Sequence, residues 1–277
     1  MATRLRLLGP PDRDEVTALL AERPVENLFL AAKVELFGVD RRRLGKLHGF
    51  ERDGKLTAVC LNAGTIFPAG VDPDAIPEFV EAIGGTRRAS SILGSSMAAL
   101  GLFVGLAERW PAAWGSYANV RRKQPLMVRS GAPEFDADPR VRPLTMKDFD
   151  SYLEASVHMY TEEIGSSPYK YGPGYESFVA DRIKNRDAWG IVENSTVIFK
   201  ADLGPKHLDQ AQLQGVWVHP DHRGTGLSVP GLAGMLRDVF RTHGTVSLYV
   251  NDFNIPAIRS YERLGFEHVG TLSTVHY

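Results

Sequence analysis

Residues 214–228 read Gln214-Gly215-Val216-Trp217-Val218-His219-Pro220-Asp221-His222-Arg223-Gly224-Thr225-Gly226-Leu227-Ser228. Leu232, Met235, Leu236, Val239 and Phe240 then recur at helical spacing and give one apolar stripe. The stretch predicts a strand, a glycine-rich turn and the N-terminus of an amphipathic helix. Such a turn can aim several backbone N–H groups at one point, where the positive end of the helix dipole adds to the field, so a pyrophosphate is the expected guest. Gly224 and Gly226 let the backbone approach the phosphates without a β-carbon in the way. Pro230 falls in the first helical turn, where a missing N–H breaks no intrahelical bond. Arg223 supplies charge or fixes the turn. Glycines after a strand are more often just a turn, so the surrounding residues decide the reading.

A second segment follows: Leu248-Tyr249-Val250-Asn251-Asp252-Phe253-Asn254-Ile255-Pro256-Ala257-Ile258-Arg259-Ser260-Tyr261-Glu262-Arg263-Leu264-Gly265-Phe266. Together the two resemble the acyl-CoA-binding motifs of the GNAT superfamily. In that family the first strand ends in Val-x-Pro before Arg-Gly-x-Gly-x-Gly or Ala, and the later helix reads Asn-x-x-Ala-x-x-x-Tyr-x-x-x-Gly-Phe. Ser228 departs from the usual Gly or Ala, though its small hydroxyl should fit and could bond a phosphate. The resemblance covers Val141 to the C-terminus and implies a GNAT acyl-CoA N-acyltransferase fold, an α/β (α+β) mixed sheet. Acetyl-CoA or another short acyl-CoA is the implied co-substrate, held by Val216, Trp217, Val218, Arg223, Gly224, Thr225, Gly226, Leu227, Ser228 and Asn254.

The resemblance also implies a mechanism in which a neutral amine attacks the thioester carbonyl directly, with no covalent enzyme intermediate. A backbone N–H near Val218 would stabilise the oxyanion, and the Tyr261 hydroxyl would protonate the departing thiolate. Many relatives carry a Glu on the strand before the turn. This strand has Gln210, Gln212 and Gln214, which accept no proton at neutral pH. Glu162, Glu163, Asp202 and His219, or ordered water, are the open routes for proton removal. Taken alone, Tyr261 would read as a core tyrosine and Asn254 as a helix N-cap, the latter compatible with touching the ligand.

Around these motifs, helices are expected over Phe149 to Ile164, Tyr175 to Asn185 and Ile255 to Leu264. The loop between the first two is marked by Ser166-Ser167-Pro168-Tyr169 and Gly172-Pro173-Gly174. Strands are expected over Trp189 to Val192, Thr196 to Leu203, Gln210 to Val218, Val246 to Val250, and from Glu267 onward. Such alternation implies a mixed sheet with helices on its faces. In the N-terminal half, Leu5 to Asp14 can be laid over Val141 to Asp150, and the hairpin of His48 to Leu61 over that of Trp189 to Asp202. Two related halves follow: a degenerate GNAT-like domain over 1–130, a Gly- and Pro-rich linker over 131–140, and a catalytic domain over 141–277. The first half has neither an Arg-Gly-x-Gly turn nor an Asn-x-x-Ala-x-x-x-Tyr helix. Gly94-Ser95-Ser96-Met97 stands in roughly the equivalent place. That half is expected to cover the acceptor cleft or to mediate pairing into a homodimer.

A net charge of −1 gives no general basis for nucleic-acid binding, which needs a basic surface to displace counterions. The short runs Arg41-Arg42-Arg43 and Arg121-Arg122-Lys123 read as charged surface. One cysteine, Cys60, permits no internal disulfide and reads as a small buried hydrophobe in a reducing compartment. The longest apolar stretch, Met97 to Ala107, falls far short of the roughly 20 residues that span a bilayer, and Gly-Pro-Pro interrupts the start of the chain, so a cytoplasmic protein is expected. His219 and His222, with Asp221 beside them, invite a metal reading, but the histidine pair flanks a proline turn and no further ligand is apparent in the sequence, so no metal is expected. The acceptor is an amine, either a small molecule or a protein group. From a different class, the alternative is a non-catalytic acyl-CoA-binding regulatory protein, favoured only by the missing strand Glu.

Overall fold

A computed structural model describes residues 2–70, 72–172 and 174–277. Pro173, one of the loop markers, lies outside them. The chain forms two compact units, one of residues 1–127, 249–254 and 268–277, the other of residues 128–248 and 255–267.

The elements run in the order β1 (Thr3–Leu7), α1 (Arg13–Ala21), α2 (Leu28–Phe37), β2 (Lys46–Arg52), β3 (Lys55–Asn62), β4 (Thr65–Gly70), α3 (Ala75–Ile83), β5 (Ser91–Ser95), α4 (Ser96–Arg109), α5 (Pro111–Trp114) and β6 (Asn119–Ser130). After 131–140, which holds no helix or strand, come β7 (Arg142–Pro143), α6 (Phe149–Ile164), α7 (Tyr175–Lys184), β8 (Ala188–Glu193), β9 (Thr196–His207), β10 (Gln210–Val218), α8 (Ser228–Val239), β11 (Thr245–Tyr249), α9 (Ile255–Arg263) and β12 (Glu267–His276).

In the first unit the strand order is β1-β2-β3-β4-β5-β12-β6. β12 comes from the far end of the chain and pairs antiparallel with β5, from Leu272 opposite Ser95 to His276 opposite Ser91. The division expected near 131–140 is therefore not a single cut. Residues 268–277, assigned by sequence to the second half, complete the sheet of the first. Nothing in their local pattern announces this, because an apolar strand edge accepts any partner of matching register. Strand alternation builds two cores. Leu47, Val59 and Leu61 pack with α1 and α2, while Phe50, Ala58 and Cys60 pack with α3 and α4.

In the second unit the order is β7-β8-β9-β10-β11, antiparallel up to β10 and parallel between β10 and β11. Tyr152 and Ala155 of α6 and Val179 and Ile183 of α7 cover one face with Val197 and Trp217. α8 lies over Phe199, whose ring sits about 3 Å from where a Gly231 β-carbon would be, so a larger residue there would push the helix off the sheet.

The two units repeat details as well as order. β2–β3 turns through Asp53 and Gly54, and β8–β9 through Asn194 and Ser195, all at positive φ, the two-residue geometry that matches strand twist. Gly9 N–H donates to Asp12 and Thr145 N–H to Asp148, and the same carboxylates bind Arg6 and Arg142 at 2.8 Å. Among the described residues no helix is long and apolar enough to cross a membrane.

Candidate active site of the second unit

β10 pairs with β9 along its length, but with β11 only at Gln210, Ala211 and Gln212. From Leu213 onward its β11 side has no strand partner among the described residues, so an edge of sheet opens inside the unit. The opposite side is irregular. Gln214 stands opposite Asp202 and Trp217 opposite Lys200, so Gly215 and Val216 share the place of one residue in a β-bulge. Gly215 has φ +61°, and a β-carbon there would collide with the Asp202 carboxylate, so glycine is required twice over.

Beyond Val218 the chain makes a short 3-10 turn, with His222 and Arg223 N–H donating to His219 and Pro220 carbonyls at 2.9 and 3.1 Å. The His219 ring accepts from Asp221 N–H, and the Thr225 hydroxyl donates to the His222 carbonyl at 2.7 Å. Gly224 and Gly226 then take φ +76° and +83°, with open space where their β-carbons would be. Among the described residues no backbone hydrogen bond of ordinary geometry engages the N–H groups of Gly224, Thr225, Gly226 or Leu227. These lead straight into α8, whose first turn adds further donors. The arrangement is a concave row of donors at a positive helix end, suited to an anion.

Arg223 does not point into that row. Its Nε donates to the Val218 carbonyl at 3.0 Å, and Nη2 meets both oxygens of Glu162 at 2.9 and 2.8 Å. It therefore joins the end of α6 to the turn. Ser228 shares a 3.1 Å hydrogen bond with Ser260, which in turn donates to the Pro256 carbonyl, tying α8 to α9. On α9, Tyr261 is 7% exposed, and burial with the Glu163 charge nearby raises its phenol well above the usual range. It is therefore a neutral proton donor at neutral pH.

The remaining sequence candidates divide. Val216 and Val218 present backbone at the open edge. The Trp217 side chain instead faces the core beside Tyr152 and is 5% exposed. Asn254 falls in the segment grouped with the first unit, where its N–H donates to the Asn251 carbonyl at 2.9 Å. Of the carboxylates considered for proton removal, Glu162 is bridged to Arg223. Asp202 is buried, and burial pushes it up against the opposing pull of Lys200 and the Tyr152 hydroxyl. Among the described residues no three His, Cys, Asp or Glu side chains gather as for a metal. Lys200, wholly buried beneath the bulge, is not singled out by the motifs. Its signal is a lysine inside the apolar run Val197-Ile198-Phe199-Lys200-Ala201-Asp202-Leu203.

Residues 189–275 match the model of the FR47-like protein family, which is GNAT-related, and residues 45–152 match a domain of unknown function, DUF4081. No curated protein matches the chain in sequence. Among solved structures, the chain is similar to a GNAT-family acetyltransferase from Colwellia psychrerythraea, with TM-score 0.57 and 13% identity over 99% of both chains. It is similar to a GCN5-related N-acetyltransferase from Sphaerobacter thermophilus, with TM-score 0.56 and 15% identity over 98% of this chain and 95% of that one. A Drosophila protein gives TM-score 0.62 and 15% identity over 100% and 99%. At these identities the likeness establishes the fold, that of GNAT acetyltransferases, through the length of the chain.

Proposed function

We propose that this chain is an acyl-CoA-dependent N-acyltransferase whose working site lies in its second unit, with acetyl-CoA or another short acyl-CoA as donor and an amine as acceptor. The observation that carries the reading is the turn after β10. Gly224 and Gly226 hold left-handed conformations facing open space, and the N–H groups from Gly224 to Leu227 lie at the positive end of α8. A pyrophosphate supplies the acceptors such a row lacks. The edge of β10 opposite the departing β11 offers a pantetheine arm backbone to pair with, leading toward Val216–Val218.

In the transfer the amine nitrogen bonds to the thioester carbon and the carbonyl π pair moves to oxygen. The backbone N–H groups of Val216 and Val218, on the open edge, stabilise that oxyanion. Collapse breaks the C–S bond, and Tyr261, neutral and buried, gives its proton to the thiolate. The proton lost by the amine leaves through water and restores the phenol. Glu163 is the carboxylate whose charge reaches Tyr261. On this reading the second unit carries the chemistry, and the first is a GNAT-like partner without a phosphate turn.

Thermal unfolding with and without acetyl-CoA tests the proposal. Ligand at a hundred times its dissociation constant stabilises the fold by about 2.7 kcal/mol. An upward shift that disappears in Gly226→Glu supports the site, and thiol release with a panel of amines then identifies the acceptor. An unshifted wild type would remove the foundation of the reading.

A further inference from the structure

The β10 bulge turns one carbonyl away from the strand ladder and into the protein. Gly215 O points at Lys200, whose Nζ donates to it at 2.9 Å. Lys200 is 0% exposed, so its charge needs a counterion, and Asp202 Oδ2 lies 2.7 Å from the same nitrogen. The other Asp202 oxygen accepts from the Tyr152 hydroxyl at 2.8 Å, and the Lys200 nitrogen stands 5.3 Å from the Tyr152 ring centroid. Met159 Sδ, 3.5 Å from Nζ, completes the surroundings. Lys200 Nζ holds the carbonyl, Asp202 holds Lys200, and Tyr152 holds Asp202.

A buried ion pair is a poor way to gain stability, because desolvation consumes most of the Coulomb attraction. Apolar residues would fill this space at less cost. What the pair does that apolar residues cannot is anchor Gly215 O, and so set the rotation of the backbone that follows. In that backbone, Val216 and Val218 face the open edge of β10.

We propose that Lys200 and Asp202 are positioning residues, a buried clamp that fixes the Gly215 bulge and thereby aims the Val216 and Val218 N–H groups at the reacting carbonyl. Lys200 acts through Gly215 O, Asp202 through Lys200, and Tyr152 through Asp202. This inference rests on the acyltransferase reading above for its consequence, but the clamp itself is a property of the backbone.

The test compares wild type, Lys200→Met and the apolar triple variant Lys200→Met/Asp202→Leu/Tyr152→Phe. The single variant leaves a carboxylate buried without its cation and should lower Tm by on the order of 10 °C. The triple variant removes the charges together and should recover most of that loss. Both should lose about 10²-fold in kcat, since neither restores a donor to Gly215 O. Acetyl-CoA affinity, measured by calorimetry, should stay within about threefold, because the phosphate turn is untouched. A triple variant that regains both Tm and kcat would make the pair merely structural and overturn the proposal. Loss of the acidic limb of the kcat pH profile in Asp202→Asn would instead make Asp202 the base, and would equally overturn it. Should wild type bind acetyl-CoA yet acylate no amine, the catalytic reading fails separately. The clamp is then read by amide hydrogen exchange over residues 213–219, faster in the triple variant if it exists and unchanged if it does not.

Discussion

The turn after β4 and the turn after β10 occupy the same place in the order of their units, between a strand and a helix. In the second unit the connection runs from His219 to Leu227, long enough for two left-handed glycines and a row of N–H groups. In the first, β4 ends at Gly70 and α3 begins at Ala75, with Asp72, Pro73 and Asp74 just before the helix. Asp72 accepts from Arg52 at 2.8 and 2.7 Å and from the Thr57 hydroxyl at 2.9 Å, and Asp74 from Arg52 at 2.7 Å. Arg52 holds the Asp72 carboxyl down at about 2, so it stays charged through the neutral range. Ahead of α3 two carboxylates are thus held by Arg52, where the turn before α8 leaves open space. The cleft itself survives in the first unit. β4 pairs with β5 only at Thr65 and Ile66, and an apolar pocket of about 330 Å³ remains between β4, α3 and α4, lined by Pro68, Ile76 and Met97 among others. Splayed strands therefore occur in the first unit without the glycine turn that accompanies them in the second.

The sharpest way to break that comparison is to count ligands. Calorimetry should give one acetyl-CoA per chain, and Gly226→Glu should abolish it, by more than about 100-fold in affinity, through bulk, negative charge and a side chain forced to φ +83°. Residual binding at full stoichiometry would move the site to the first unit. Next in size, Tyr261→Phe should slow kcat about 10²-fold while acetyl-CoA affinity holds, as loss of a general acid requires. Undiminished turnover would exclude Tyr261 as the essential acid.

Acid should also separate the units. In the first, His48 and His276 have buried Nε2 atoms without a hydrogen-bond partner among the described residues, and burial with a nearby cation lowers both, His276 to about 4. The unfolded chain takes up these protons near pH 6.5. The folded His276 does so only near 4, so stability contributed above pH 6.5 is lost as pH falls from there toward 4. Tm should drop by several degrees between pH 7 and 5, and His276→Gln should flatten that slope. A slope that persists in the variant would place the sensitivity elsewhere. Arg52→Ala should cost a few degrees of Tm through loss of the Asp72 and Asp74 contacts, with acetyl-CoA affinity unchanged. Weakened acetyl-CoA binding in that variant would contradict the division of roles.

Local order was legible because it obeys periodicity. The apolar stripe of α8, the 149–164 helix and the hairpin turns follow from spacing alone. The turn between β10 and α8 was legible because glycines at positive φ carry their own signature. Three things were hidden. Strand β12 joins the sheet of the first unit by register, which sequence distance does not encode. The first unit's counterpart of the turn after β10 is the connection after β4 that holds Asp72 and Asp74, whereas Gly94–Met97 joins β5 to α4. The Lys200 cluster arises only when a bulge on one strand meets an inward lysine on its neighbour.

The smallest expected effect concerns Ser228, the one departure from the glycine motif. Its hydroxyl lies 3.1 Å from that of Ser260, and Ser260 is bonded to Pro256 O, so the serine ties the first turn of α8 to α9 rather than crowding the turn. Ser228→Ala removes one hydrogen bond of a part-buried pair and leaves Ser260 its carbonyl partner, a cost of about 0.5–1.5 kcal/mol by denaturant unfolding. The Gly224 and Gly226 conformations do not depend on that bond, so acetyl-CoA affinity should change by less than about threefold. A tenfold loss would mean that the Ser228 hydroxyl donates to the phosphates themselves. The second unit would then bear a ligand contact where the motif has Gly or Ala, while the first holds the carboxylates of Asp72 and Asp74 at the corresponding place.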